Sequence, residues 1–246
     1  MSEPVQVSIL IPAFNEEQYL GATLGLVHAS FRALQRTDYE IVVCNNNSTD
    51  STDAVAQAGG ARVVFEPHNA FSRARNAAAR AATGEWFIFL DADTQLSPAL
   101  LQATMDCLGS GRIGGGGALV QLDTQHPGWF GALFRWGWNR LSVIRQLAPG
   151  PYTFCLRRAW VESGGFDEAY YYCEDIFFSK KLRRWCRAHG LKMQIITRPL
   201  VVTSARKLQW YTTRQLLWQF LRLLVPNSIK RRADLPVWYA RPPRKP

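Results

Sequence analysis

The stretch that most limits what this chain can fold into is Trp86-Phe87-Ile88-Phe89-Leu90-Asp91-Ala92-Asp93. Five apolar residues without alternation read as a strand covered on both faces, the habit of parallel sheets walled by helices. Two carboxylates follow directly. Side chains alternate along an extended chain, so Asp91 and Asp93 point the same way if the extended form persists. Paired oxygen ligands suit a hard divalent cation, Mg²⁺ or Mn²⁺. In an open α/β sheet, ligands gather beyond the carboxyl ends of the strands. A solvated turn is the competing reading, because Asp is a common turn residue.

The residues before this strand repeat its logic. Val5 to Ile11 is an apolar strand ended by Pro12. Ala13-Phe14-Asn15-Glu16-Glu17 then opens a helix running to about Arg36, with Asn15 as N-cap. Tyr39 to Cys44 is a second strand, closed by the turn chemistry of Asn45 to Asp50. Ala61 to Phe65 is a third. Phe71 to Ala82 is an alanine-rich helix carrying Arg73, Arg75 and Asn76, stopped by Thr83-Gly84. Strands alternating with helices predict parallel βαβ units and an α/β fold. Three polar clusters then share one sheet edge, where a nucleotide would sit.

Further on, Ser97-Pro98 caps a helix to about Leu108. Gly114 to Gly117 leads into Ala118-Leu119-Val120-Gln121-Leu122, a strand that needs close backbone approach; it matches neither a dinucleotide fingerprint nor a P-loop. Residues 127–147 interleave Trp129, Phe130, Phe134, Trp136 and Trp138 with Arg135, Arg140 and Arg145. This is either a core helix with a solvated basic side or an interfacial helix facing lipid headgroups. Gly150 to Arg158 reads as a turn and a strand. Gly164-Gly165-Phe166-Asp167-Glu168 is a loop, and Tyr170 to Cys173 delivers Glu174-Asp175 to a helix through Arg187. Carboxylates there also serve as simple capping charges.

These segments resemble the family 2 glycosyltransferases. The likeness rests on Val7 to Glu17, Asn45 to Asp50, Arg73 to Asn76, Gly84 to Asp93, Gly164 to Glu168 and Glu174-Asp175, in the family's order over residues 5–200. It implies a GT-A fold: a Rossmann-like, mostly parallel central sheet with helices on both faces. It also implies a metal-dependent, inverting transfer of a sugar from a UDP- or GDP-sugar to a hydroxyl acceptor. Carried over residue by residue, Pro12, Ala13, Asn15 and Glu17 would line the base and ribose. Asn45 falls where the family has an Asp on the base, with Asn47 nearby. Arg73 and Asn76 would border the nucleotide, and Asp91, with Ala92, would approach the ribose. Asp93, with Asp91, would ligate the cation on the diphosphate. Asp175, beside Glu174, falls at the catalytic base. The membrane spans and QxxRW pattern of processive synthases are missing, which implies single transfers.

Composition divides the chain. Residues 1–123 hold seven Arg and no Lys against 13 acidic residues, a net −6, while residues 124–246 carry +16. The expected division is a transferase domain over 1–205, with a nucleotide-binding half (1–123) and an acceptor-side half (124–205). Residues 206–246 then form an amphipathic helix, about Lys207 to Val225, and a basic, proline-rich tail without compact structure. The basic half suits an anionic membrane surface or a lipid-linked acceptor. Five cysteines without a CxxC pair predict reduced thiols in the cytoplasm, with peripheral attachment to the cytoplasmic face of a membrane. Met1-Ser2-Glu3-Pro4 predicts no secretory signal, and no zinc spacing or nucleic-acid motif is present. Two rival readings stay open: a sugar-phosphate nucleotidyltransferase, and a catalytically silent basic binding protein.

Overall fold

The computed structural model describes residues 5–124, 128–206, 210–222, 228–235 and 239. Strand β1 (Val7–Ala13), helix α1 (Leu20–Ala33), β2 (Tyr39–Asn45), α2 (Thr52–Ala58), β3 (Arg62–Phe65), α3 (Phe71–Ala81) and β4 (Trp86–Leu90) make the βαβ series that the alternation predicts. After them come β5 (Thr94–Gln95), α4 (Pro98–Gly109), β6 (Ile113–Leu122), α5 (Gly128–Arg145), β7 (Tyr152–Leu156), α6 (Arg157–Ser163), α7 (Glu174–Ala188), β8 (Lys192–Thr203) and α8 (Thr213–Arg222). All eight strands join one sheet in the order β3-β2-β1-β4-β7-β6-β8-β5. The β1–β2, β1–β4, β2–β3 and β6–β8 pairs are parallel, and β7 runs antiparallel to both β4 and β6. The sheet is therefore mixed but mostly parallel, with helices on both faces, as in the α/β fold expected.

Period-two alternation sorts the strand residues onto two cores. Ile9, Ile11, Ile88 and Leu90 pack with Leu20 and Phe31 of α1 and with Leu100 and Leu101 of α4. Leu10, Phe87 and Phe89 face the other way, onto Ala74 and Ala78 of α3 and Phe178 and Leu182 of α7. Each fully buried side chain of this size contributes about 1.5–3 kcal/mol. The Ser97 hydroxyl caps α4 by accepting from Leu100 N at 3.2 Å, with Pro98 at the first turn. The glycines of β6 meet the expected need for space. A Cβ on Gly116 would lie 1.8 Å from the Gln194 carbonyl oxygen, and one on Gly115 2.7 Å from that of Phe154.

Three local expectations change. Asn15 does not cap α1, whose N-cap is Tyr19; it holds φ +55° and pins the neighbouring loop. Asn tolerates that conformation because its amide replaces backbone hydrogen bonds. In the C-terminal segment, Tyr211 and Thr212 are not helical, α8 begins at Thr213, and the expected stretches 207–209 and 223–225 lie outside the described residues. Its Leu216 is buried, whereas Leu217, Trp218 and Leu221 face solvent. Part of the supposed tail is built in: residues 228–230 and 232–234 are 3₁₀ turns, Leu235 is fully buried, and Tyr171 N donates to Ile229 O at 2.8 Å. Tyr239 donates its hydroxyl to Tyr171 O at 2.6 Å, so Ile229 and Tyr239 both meet the loop before α7. The five cysteines are free thiols. Among the described residues no helix is long and apolar enough to cross a membrane.

Candidate functional site

The carboxyl ends of β1, β2 and β4 lie side by side, and the loops after β1 and β2 are knitted together. Asn15 N donates to Ser48 Oγ (3.0 Å), and Thr49 N returns a bond to Asn15 Oδ1 (2.7 Å). Glu16 N donates to Thr52 Oγ1 (2.7 Å), Glu17 N to Asp50 Oδ2 (3.3 Å), and Ser51 N to Glu17 Oε2 (3.1 Å). Asn45 accepts from Ser48 N at 2.9 Å and donates to Asp53 at 3.3 Å. Asn47 holds φ +63° and donates to Asn69 at 3.2 Å. Pro12 and Ala13 lie within β1, buried, so their side chains serve packing. The polar clusters read from the sequence thus form one rigid rim.

The extended form does not persist through Asp91-Ala92-Asp93. Asp91 O accepts from Thr94 N at 3.1 Å in a tight turn between β4 and β5. Ala92 is buried in the α1 core and its carbonyl accepts from Thr23. The turn separates the partners of the two carboxylates. Asp91 takes Arg75 Nη2 at 2.9 Å, whereas Asp93 takes Arg206 Nη2, also at 2.9 Å. The pair therefore stands in a turn, and its two carboxylates face different arginines.

Arg75 is the hub of the site. Its side chain is only 3% exposed, and it also pairs with Glu174 and donates to Gly150 O at 3.1 Å. One guanidinium therefore ties the acid after β4 to the acids opening α7. Arg73, two residues earlier, pairs instead with Glu168 at 3.4 Å. Asn76 spends its amide on the 164–168 loop, donating to Phe166 O (2.8 Å) and accepting from Phe166 N (3.0 Å). Asp175 sits beside Arg75, with Oδ1 accepting from Ile176 N at 2.8 Å. Burial, and then the neighbouring Glu174 charge, push its carboxyl up to about 7, against the pull of Arg75. A carboxylate that takes up a proton near neutrality is matched to general-base work.

Arg206 forms a second hub. It donates through Nη1 and Nη2 to the two oxygens of Glu16, both at 2.7 Å. Its guanidinium carbon lies 4.6 Å from the Tyr19 ring centre and 5.3 Å from that of Trp210. Arg75, Arg206 and Glu16 were not among the residues singled out as the site. Arg75 and Glu16 stand inside the motif segments, but nothing in the sequence marks Arg206.

Among the described residues no group of three or more His, Cys, Asp and Glu forms a preformed metal cage. Asp93 and Asp91 would each offer an ion one carboxylate. That donor set fits Mg²⁺ or Mn²⁺ shared with a diphosphate, because such ions are commonly held by one or two carboxylates plus substrate phosphates. A cavity of about 550 Å³ lined by Trp86, Ile113 and Arg157 opens at the opposite end of β4 and touches none of these acids.

Comparison with known proteins agrees with this architecture. An uncharacterized glycosyltransferase of Mycobacterium bovis is 40% identical over 87 residues, 35% of this chain and 36% of that protein. The aligned part thus spans about a third of that relative's length. Staphylococcus aureus TarS 1-349 in complex with UDP-GlcNAc superimposes with a TM-score of 0.64 at 17% identity, covering 89% of this chain and 65% of that one. The mannosyltransferase PcManGT of Pyrobaculum calidifontis, in complex with GDP-Man and Mn²⁺, gives 0.62 at 19% identity, covering 90% and 61%. Residues 8–126 match the family described as Glycosyl transferase family 2. That match covers 119 of the 246 residues and takes in the entire rim from β1 to β4, which is thus similar to the family 2 glycosyltransferases.

Proposed function

We propose that the chain is a metal-dependent, inverting glycosyltransferase that moves one sugar per encounter from a UDP- or GDP-sugar to a hydroxyl acceptor. The observation that carries this reading is the Arg75 bridge, which joins Asp91 at the donor rim to Glu174, next to Asp175. The donor lies along the rim of Asn15, Glu17, Asn45 and Asn47, with Arg73 at its border and the buried Pro12, Ala13, Asn76 and Ala92 supporting that rim from behind. Asp175 takes the proton from the acceptor hydroxyl, which then attacks the anomeric carbon from the face opposite the departing diphosphate. Glu174 holds Arg75, and Arg75 keeps part of Asp175 ionised. Asp93 and Asp91 would hold the divalent ion, which supplies charge neutralisation to the leaving diphosphate. The TarS and PcManGT complexes, with UDP-GlcNAc and with GDP-Man and Mn²⁺, support a donor and ion of these classes.

The acceptor reading comes from α5. Trp129, Leu133, Trp136 and Ile144 recur at helical spacing along its exposed side, 57–70% accessible, and Arg140 lies over the Trp136 ring at 5.2 Å. Phe130 and Phe134, part of the same expectation, have side chains outside the described residues. An apolar stripe laced with arginine suits the headgroup layer of an anionic membrane, and so supports a lipid-linked acceptor and peripheral attachment.

The test is donor turnover. Thermal-shift screening of UDP-, GDP- and dTDP-sugars with Mn²⁺ and Mg²⁺ identifies the donor by ligand stabilisation, and hydrolysis of that donor gives the rate. Asp93→Ala should abolish turnover and leave the fold intact; unchanged turnover refutes the reading. Pyrophosphate release from a sugar phosphate and a nucleoside triphosphate would favour the nucleotidyltransferase instead.

A further inference from the structure

Asp93 already carries a cation from within the chain. The Arg206 fork has five N–H bonds in a plane. Glu16 takes one from each terminal nitrogen, and Asp93 Oδ2 lies 2.9 Å from Nη2. Nε is buried and has no hydrogen-bond partner among the described residues. The side chain is 10% exposed, against 8% for Glu16 and 13% for Asp93. A guanidinium stacked against two aromatic rings, with one buried donor unused, is more than a surface ion pair.

A divalent ion on Asp93 would repel the guanidinium that lies 2.9 Å from its Oδ2 and compete with it for that oxygen. Binding of the ion would therefore loosen Asp93 from Arg206. Glu16 still holds both terminal nitrogens, so the arginine stays at the rim. The N–H released from Asp93 is then open to whatever anion comes with the ion. Planar guanidinium donors match phosphate oxygens.

Resting on the proposed reading of this rim, we infer that Arg206 is the resident counter-cation of the donor site: the divalent ion displaces it from Asp93, and it then grips the donor's diphosphate. The chain end thus completes a site whose other parts lie within residues 12–93. The alternative is a structural pin that only fastens the chain at Arg206 to the loop after β1.

The two predict different signs. Mn²⁺ is titrated into full-length protein without nucleotide, with free ion read by its electron paramagnetic resonance signal; UDP and GDP are then titrated at saturating Mn²⁺ by calorimetry. Arg206→Met, which keeps an unbranched stem between the rings, should bind Mn²⁺ alone at least tenfold more tightly than wild type. It should bind the nucleoside diphosphate at least tenfold more weakly. Arg206→Lys, which lacks the second nitrogen and Nε, should shift both constants the same ways by a few-fold, and serves if the Met variant does not fold. Constants that stay put, or that weaken together, overturn the inference in favour of the pin. If wild type binds neither nucleotide with Mn²⁺, the reading of the whole rim fails and takes the inference with it.

Discussion

Replacing the proposed base should make the protein more stable, and more so above pH 7 than below it. Asp175 holds its proton to about 7 in the folded chain, against an ordinary value of 3.8, chiefly because burial penalises its charge. Between those values the folded state binds a proton that the unfolded state has released. Its contribution to stability is complete below pH 3.8 and is lost as pH rises to about 7. Asn cannot ionise and escapes that loss, while its Oδ1 can keep the Ile176 N–H. From 3.8 to about 7, at about 1.4 kcal/mol per pH unit, the ceiling is about 4 kcal/mol. Asp175 is half-buried, and solvent screening reduces the figure to about 2 kcal/mol. For a chain of this length that is about 4–8 °C in Tm. Melting of Asp175→Asn and wild type, followed by circular dichroism, should show the full gain at pH 8 and about a third of it at pH 5. The variant should have no transferase turnover. A variant no more stable than wild type at pH 8, or equally stabilised at both values, would refute the assignment of a buried, proton-holding base.

The remaining perturbations probe other parts of the same construction. In wild type, kcat/KM should rise with pH through about 7 as Asp175 gives up its proton; a flat profile from pH 5.5 to 8.5 would count against it. Arg75→Met removes the only positive charge that Asp91 and Glu174 are seen to share, and should cost about 3–5 kcal/mol in denaturant unfolding; a loss under 1 kcal/mol would mean that the pair is solvated. Gly116→Ala drives a Cβ against the Gln194 carbonyl, a backbone atom that cannot swing away. It should cost about 3 kcal/mol or more, read as loss of the folded melting transition, and a near-native Tm would contradict the β6–β8 spacing. Wild type should float with anionic vesicles at low salt, and Trp129→Ala with Trp136→Ala should lower the bound fraction several-fold at unchanged Tm. Protein that stays in the soluble fraction would remove the membrane from the acceptor reading.

The first half of the fold was legible because its signals are local. Each strand from Val7 to Leu90 is an apolar run closed by Pro, Asn or Asp, and element ends there fall within a residue or two of expectation, α1 excepted. The second half resists reading for physical reasons. β8 carries Pro199 inside it, which ordinarily argues against a central strand. The chain absorbs the proline at an irregularity in register between Ala118 and Val120, where β6 pairs around it. α6 begins at Arg157, immediately after β7, without a side-chain cap to announce it.

The site divides along the same line, and the division says what kind of information a site needs. Asp91, Asp93, Glu174 and Asp175 are visible because carboxylates at strand ends and helix starts are chemically unusual where they stand. Their charges could not be balanced from the sequence, because the balancing residues lie 99 and 190 positions away: Arg75 from Glu174, and Arg206 from Glu16. A pattern read within a motif sees the anions and infers an external cation. The folded chain brings two guanidiniums to the same place and stacks Arg206 on Tyr19 and Trp210. Asp91, Asp93, Glu174 and Glu16 are thus each paired within the chain, and on the reading proposed above an incoming ion would compete with Arg206 for Asp93. A family 2 chain with a similar Asp-x-Asp but no arginine after its last strand should bind Mn²⁺ alone more tightly than this one, a comparison that needs no donor, acceptor or turnover.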